Sequence, residues 1–531
     1  MKMKNSFFIS SLLATSAVFS QTLNDAIKQT TNEQFEKADA SFKGLLSTQP
    51  NNGEVYFYYG ENYFKNENAE TANATYQKGA DLNATNPLCY AGLGKIQWYQ
   101  NKTAEAKPNF YKATTLAAGK NATVLLKIAE VYINAETKDF VEANKLLDQA
   151  QKLEPNNPEV YILRGDAFLE QSNDGSKAIE NYEKASKLDP KSVTAILRIG
   201  KLWNRSKNYT AALDAYKKAS LIDSSFAPAY REKAEIYARA GQFNNAVGQY
   251  KRYLQLNNDC EARGRYAGFL LEAKHYAESV EAANEALKCD TLNAYIYRYK
   301  GYSQFESADY ANGMKTMKQF FEKASKNTKL KIIPMDYEYM AKLFSKDDKD
   351  TLSLQSSVTA FKKALELQPE KIEINGDLAT VYMKLKKYAD AIACFEKKIA
   401  ANKATVNDYY GLGRAAYFSK DFVKADSATA QMIRLQPDLS IGYLWRAKVN
   451  SQLDPKNEKW QAKSFYEMYI AKLKPEDVER NKKDLIDAYN YLAAYYAEKK
   501  DCPNLKIFME KVLALDPANT QAKKVIAGLK C

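Results

Sequence analysis

The chain has 531 residues, 45% hydrophobic, 12% aromatic and 27% charged, with 14 Pro, 21 Gly, six Cys and a single His. The apolar fraction excludes wholesale disorder, and the low Pro and Gly content argues against a turn-rich all-β protein. One His excludes sites built on two or more His ligands and any catalytic scheme with more than one His, so the composition favours a binding or structural protein over an enzyme. At about 150 residues per domain, length alone would suggest three or four cored domains. Lys and Arg total 77 against 64 acids, a formal +13, but only 13 are Arg and most Lys residues are scattered singly, as in Tyr216-Lys217-Lys218. Dispersed Lys marks solvated helix faces, and with no basic block of five or more residues nucleic acid is not an expected partner.

Residues 1–20 read as a secretory signal peptide. Lys2 and Lys4 give a positive start, Phe7 to Phe19 a stretch of about 13 mostly apolar residues, and Val18 and Ser20 small side chains before a cut near Gln21. The segment is too short to span a membrane, no Cys near the cut indicates a lipid anchor, and no later apolar run reaches spanning length. The expectation is an exported chain of net charge +11, periplasmic or associated with the outer envelope of a bacterium.

Beyond residue 20 one unit repeats. Small residues anchor it at Gly60, Gly94, Ala129, Gly165, Gly200, Ala234, Ala267, Gly301, Ala341, Ala379, Gly413, Ala447 and Ala493, mostly 33–36 residues apart. Around Gly60, the residues Tyr56, Tyr59 and Tyr63 form one helical stripe, and Ala72, Tyr76 and Gly79 form another after a turn at 65–68. The unit anchored at Gly200 gives Ile196, Ile199 and Trp203, then Ala212, Tyr216 and Ala219. Large side chains on one helix face small ones on the other, so each unit reads as an interlocked helix hairpin whose outer face needs a neighbour. Leu-x-Pro ends six second helices, at Leu153–Pro155, Leu188–Pro190, Leu367–Pro369, Leu435–Pro437, Leu473–Pro475 and Leu515–Pro517, because proline cannot continue a helix.

This pattern resembles the tetratricopeptide repeat. Tyr161, Gly165, Phe168, Ala178, Tyr182, Ala185 and Pro190 match it with one inserted residue, and Tyr409, Leu412, Gly413, Ala425 and Pro437 match it with Thr429 replacing an aromatic. About 13 clear units and a degenerate first one (Ala38, Phe42, Pro50) cover nearly all of residues 21–531. The resemblance implies an all-α, right-handed superhelix of 13–14 hairpins with a concave groove. Gln521 to Leu529 is expected to be a terminal helix covering the last apolar face. Lengthened loops at 325–333, 345–356 and 453–459 and a charged stretch at 475–485 depart from the pattern. They suggest an N-terminal array over 21–328 and a C-terminal array over 329–531.

Six Cys allow 15 complete pairings. Placed on antiparallel hairpins, Cys260 opens the first helix of its unit and Cys289 closes the second, while Cys502 opens a helix against which the helix ending in Cys531 packs. Disulfides Cys260–Cys289 and Cys502–Cys531 are therefore predicted, with Cys89 and Cys394 free.

Apparent catalytic motifs dissolve in this context. Gly92-Leu93-Gly94 and Gly411-Leu412-Gly413 lie inside first helices, with no preceding strand for a phosphate loop. His275 sits at a hairpin turn, and Asp347-Asp348 lies in a charged loop. No metal ligand set, cofactor or enzyme domain is called for. The resemblance implies instead a groove lined by first-helix side chains, which picks out Lys201, Asn204, Arg205, Arg231, Arg239 and Arg298. Nine of the 13 Arg residues lie between Arg164 and Arg298. Two aromatic sets are added, Phe57, Phe64, Trp98 and Tyr99, and Tyr410, Arg414, Tyr417 and Phe418. The family's Lys/Asn carboxylate clamp is not reproduced. The expected function is a non-enzymatic exported scaffold binding protein or peptide partners in a bacterial envelope assembly, the alternative being a receptor for an acidic glycan or small anion at the Arg-rich units.

Overall fold

The computed structural model describes residues 22–257, 260–327 and 330–529; residues 1–21, including the expected signal peptide, lie outside them. The described residues form 29 α-helices and one short 3₁₀ turn, with no strand. Twenty-eight helices pair into 14 antiparallel hairpins, from Leu23–Thr31 with Phe35–Thr48 to Lys482–Glu498 with Cys502–Leu515. Thr520–Gly528 follows as the expected unpaired terminal helix, and its Ala522 packs with Ala493, Met509 and Val512 of the last hairpin. No helix among the described residues is long and apolar enough to cross a membrane.

Local chemistry sets the period. First helices start at Asn52, Asn86, Asn121, Asn157 and Ser192, whose side chains accept from backbone N–H groups of the first turn. Second helices start in the same way at Asn68, Asp139, Asp174, Asn208, Asp421 and Asp501. Between many of the paired helices the residue seven after the anchor turns left-handed, among them Glu67 (φ 59°), Asn101 (60°), Lys207 (61°), Lys274 (62°), Lys386 (58°) and Lys420 (66°). In five of the six second helices that Leu-x-Pro was expected to end, the leucine is the last helical residue; in the sixth, Leu473 is the residue after Lys463–Lys472.

Small-to-large packing locks each pair. Tyr76, Tyr182 and Tyr216 are fully buried beside Ala72, Ala178 and Ala212. A Cβ added at Gly60, Gly165 or Gly200 would overlap the matching tyrosine ring, so alanine is already too large at these crossings.

The described residues divide into two compact units, which meet between Tyr299 and Lys300 in the chain. The division falls within helix Ala294–Glu306; position 328, where loop length suggested a joint, lies outside the described residues. The lengthened segment 345–356 is only half loop. Asp350 caps Leu352 and Ser353, so a 17-residue helix starts at Thr351 and takes up the extra residues.

Cys260 and Cys289 are disulfide-bonded, with Cα atoms 6.2 Å apart. Cys502 is disulfide-bonded as well; Cys531, its expected partner, lies outside the described residues. Cys89 and Cys394 are free and buried. Burial pushes the Cys89 thiol up to about 12 and raises that of Cys394. Neither thiol should react with a thiol-exchange reagent at pH 8 until denaturant is added, when two equivalents should appear. Rapid labelling of the native chain would contradict this packing.

Candidate functional site

In the first unit the first helices face a common cavity of about 520 Å³, with contributions from Ile27, Tyr58, Lys127, Arg198, Lys201 and Arg231. A ladder of ion pairs runs between and within these hairpins, and Glu61, Lys127, Glu130, Arg198 and Lys201 of it line the cavity. From the hairpin anchored at Gly60 to the one anchored at Ala234 the residue after the anchor is charged, and its partner lies on a neighbouring helix or, for Glu130, one turn away on its own. Lys95 Nζ lies 2.9 Å from Glu61, Lys127 lies 3.2 Å from Glu130, and Arg198 Nε lies 2.9 Å from Asp166. Lys201 lies 3.5 Å from Glu232 and Arg265 lies 2.8 Å from Glu235. The packing tyrosines join the ladder, Tyr76 donating to Glu61 at 2.6 Å and Tyr182 to Asp166 at 2.7 Å. Burial alone would raise the carboxyls of Glu61 and Glu130. Lys95 and Lys127 respectively outweigh it, with further help from other cations and hydrogen bonds, and hold both below the ordinary range.

The first hairpin then closes on the sixth and seventh. Its turn, 32–34, reaches residues about 190–220 positions away. Asn32 donates to Asp223 at 3.0 Å and to Ser225 at 2.9 Å. Arg231 forms an ion pair with Glu33, Tyr253 donates to the same carboxylate at 3.2 Å, and Lys28 lies 3.0 Å from Asp223. Glu33 sits in the left-handed region (φ 56°), which turns the chain towards the seventh hairpin.

Arg231→Ala should loosen this closure by about 1–2 kcal/mol, between the values of exposed and buried pairs. Amide exchange across Leu23–Thr31 should rise while residues 374–435 stay unchanged. Acid should act similarly. Burial would raise the Asp223 carboxyl, but hydrogen bonds from Ser225 and Asn32, together with Lys28, depress it. A carboxyl depressed in the folded state contributes stability above its unfolded value near 3.8 and loses it as pH falls through the folded value. Closure should therefore hold at pH 5 and weaken only well below pH 4. Exchange corrected for intrinsic rates reads this directly, and opening at pH 5–6 would contradict it.

The residues expected to line a groove separate into distinct environments. Phe57 is completely buried against Tyr76, and Trp98 is 3% exposed, packed on Tyr132 with its indole N–H donating to Thr137 O at 2.8 Å. Both are core residues, because successive first helices also pack on one another and bury a second face. Phe64 and Tyr99 meet edge to face at 5.0 Å, with Lys95 over the Phe64 ring, and Tyr99 is 38% exposed. Arg231 is held by Glu33. Arg239 donates to Asn204 at 3.1 Å, and Arg298 is buried and lies over the Tyr295 ring. Lys201 and Arg205 are exposed and share a 250 Å³ cavity with Asp166 and Glu170. The structure therefore does not assemble the six cationic and polar residues into one site.

The second unit does bring its predicted set together. Tyr410, Arg414 and Phe418 recur at four-residue intervals along helix Val406–Phe418 and line a groove of about 710 Å³ with Tyr388 of the preceding hairpin. Phe418 stacks on Tyr388 at 5.5 Å. Behind them stands Trp445, which the sequence reading missed, in edge contact with Tyr410, Tyr417 and Phe418 at 5.6–6.2 Å. The Arg414 guanidinium lies over both Tyr410 (5.3 Å) and Trp445 (5.5 Å). On the groove floor Lys398 and Asp408 form a buried pair at 2.7 Å.

Comparison with known proteins agrees with the repeat. A model described as tetratricopeptide repeat matches residues 372–405, and one described as the N-terminal ARM repeat of tetratricopeptide repeat protein 21 matches residues 112–247. Anaphase-promoting complex subunit 3 of Schizosaccharomyces pombe is 24% identical over 165 residues, 31% of this chain; the chain spans about a quarter (24%) of that protein's length. Among solved structures, the C-terminal part of a TPR repeat-containing protein from Cytophaga hutchinsonii is 31% identical, with 49% of this chain and 98% of that one covered and a TM-score of 0.43. The APC/C hetero-tetramer Cut9–Hcn1 is 14% identical, with 95% and 94% covered and a TM-score of 0.32. Hairpins of one pattern, repeated through both units, and family models matching in each unit lead to the same conclusion: the chain belongs to the tetratricopeptide repeat family.

Proposed function

We propose that the chain is a non-enzymatic scaffold that binds protein or peptide partners along the first-helix faces of its hairpins. It is exported and works in a bacterial envelope assembly. One observation carries the reading: the second unit holds an open groove in which aromatic faces and a cation are set on consecutive rigid helices. Such a preformed surface gives an extended segment many small contacts at little ordering cost. The matched repeat families support it. Export rests on residues 1–20, and a mature chain beginning at Gln21 is expected on N-terminal sequencing; a purified chain that retains Met1 would remove that part.

A receptor for an acidic glycan or small anion at residues 164–298 has less support. Arg164, Arg198, Arg231 and Arg265 each already face a carboxylate of the chain itself. Affinity capture from the native host separates the readings. With Arg231→Glu and Arg239→Glu, the protein partners of the native chain should persist. Reproducible capture of no protein would overturn the scaffold reading, and loss of the partners with these two changes would instead put their dock at the Arg-rich units.

A further inference from the structure

One charged position in the second unit departs from a pairing that recurs four times in the chain. At the residue one after the anchor, Asp166, Lys201, Glu235 and Lys342 each face an opposite charge two residues before the next anchor: Arg198, Glu232, Arg265 and Asp377, at 2.8–3.7 Å. Arg414 occupies the same position after Gly413. The residue two before the next anchor, Ala447, is Trp445. An indole face thus stands where Glu232 and Asp377 place a carboxylate beside Lys201 and Lys342. Among the described residues Arg414 is the one charged side chain at this position without an ion pair, and its Nε is buried with no hydrogen-bond acceptor.

The groove around it is electrostatically incomplete in the same sense. Its acids are already matched, Glu373 by Lys403 at 3.4 Å, Asp377 by Lys342 at 3.7 Å and Asp408 by Lys398 at 2.7 Å. Lys384, Lys386 and Arg414 remain as cations on the lining without a carboxylate. Aromatic side chains flank Arg414 one helical turn away in both directions, Tyr410 before it and Phe418 after it. A ligand that fills the groove therefore carries a negative group with apolar groups on both sides.

Resting on the scaffold reading above, we propose that this groove docks an internal acidic segment of a partner protein. A Glu or Asp side chain takes the guanidinium of Arg414, and flanking apolar residues take Tyr388, Phe418 and the Tyr410 edge. The incoming carboxylate supplies the counter-charge that Arg414 lacks within the chain. Because the indole and phenol faces hold the guanidinium plane, the cation is oriented before binding and loses little freedom on it.

The test uses the full mature chain and a doubly capped hexapeptide with one Glu between Phe and Leu, read by calorimetry. Its Gln twin should bind about tenfold to a hundredfold more weakly, the loss expected for a charge-assisted hydrogen bond. A Gln twin with a free C-terminus should not recover binding. Arg414→Gln should remove the Glu-over-Gln preference. Trp445→Asp, which gives Arg414 an internal partner as Asp377 gives one to Lys342, should remove it too, both variants keeping the helical content of the native chain. Equal binding of the Glu and Gln peptides, recovery by a terminal carboxylate, or an unchanged preference in Arg414→Gln would each overturn the proposal. If Arg414→Gln still captures the native protein partners while no peptide preference exists, the scaffold reading stands and this inference falls.

Discussion

Replacing Tyr76 with alanine is expected to destabilise the second and third hairpins by about 3–5 kcal/mol, the range for emptying a large aromatic site. The ring is fully buried and serves two interfaces at once. It packs over Gly60 within its own hairpin and against Gly92 of the next, where an added Cβ would lie 2.5 Å from it. Removing it opens a cavity lined by two glycines, which have no side chains to collapse into the space. In a stack where each hairpin touches only its neighbours the loss stays local. Amide exchange should therefore accelerate across Gly53–Leu116 and remain unchanged in the second unit. Tyr76→Phe keeps the ring and loses only the hydroxyl bond to the Glu61 carboxylate, so it should cost about 1.5–2 kcal/mol. Equal effects of the two changes would contradict the packing account.

The second large effect is expected at Glu61. Lys95 is 7% exposed, and its ammonium has Glu61 as its near counter-charge, with both carboxylate oxygens within 3.0 Å. Glu61→Ala leaves that cation buried and also strands the Tyr76 hydroxyl, at a cost of about 3–5 kcal/mol. The double change Glu61→Leu with Lys95→Met should recover most of it, because an apolar pair removes the uncompensated charge rather than exposing it. The pH dependence has a defined sign. The Glu61 carboxyl is depressed in the fold, so its contribution is complete above the usual value of 4.5 and is lost as pH falls below it. Local exchange in Gly53–Tyr99, compared at pH 6 and pH 3, measures this. Greater stability at pH 3 would reverse the argument.

Much of the fold was legible because one contact writes two sequence signals. Tyr76 over Gly60, repeated as Tyr182 over Gly165 and Tyr216 over Gly200, fixes both the small anchor and its large partner, and the intervals between anchors then count hairpins. What stayed illegible depends on the second face of each first helix. Phe57 and Trp98 lie off the hairpin stripe, which suggested a groove, but successive first helices also pack together, as Trp98 does on Tyr132. The left-handed turn residues were hidden as well, since Lys207, Lys386 and Lys420 carry no glycine signal for a conformation that costs a side chain roughly 1 kcal/mol.

The site divides in the same way. The Glu33–Arg231 pair joins residues 198 apart and arises only once seven hairpins have brought the first back beside the seventh. No local pattern encodes that return. Tyr410, Arg414, Tyr417 and Phe418 lie on one helix and were legible together. Trp445 belongs to the next hairpin and was missed, though a signal existed: it stands two residues before its anchor, where Arg198, Glu232, Arg265 and Asp377 carry charge.

Crosslinking mass spectrometry of the chain in its native host tests the central claim most directly, because it reads both whether proteins bind and where. Lysine crosslinks to partner proteins should concentrate at Lys384, Lys386 and Lys420, around the Arg414 groove, and fall in Arg414→Gln. Crosslinks confined to Lys65, Lys127 and Lys201 of the first unit's cavity, or no reproducible protein partner at all, would contradict that claim.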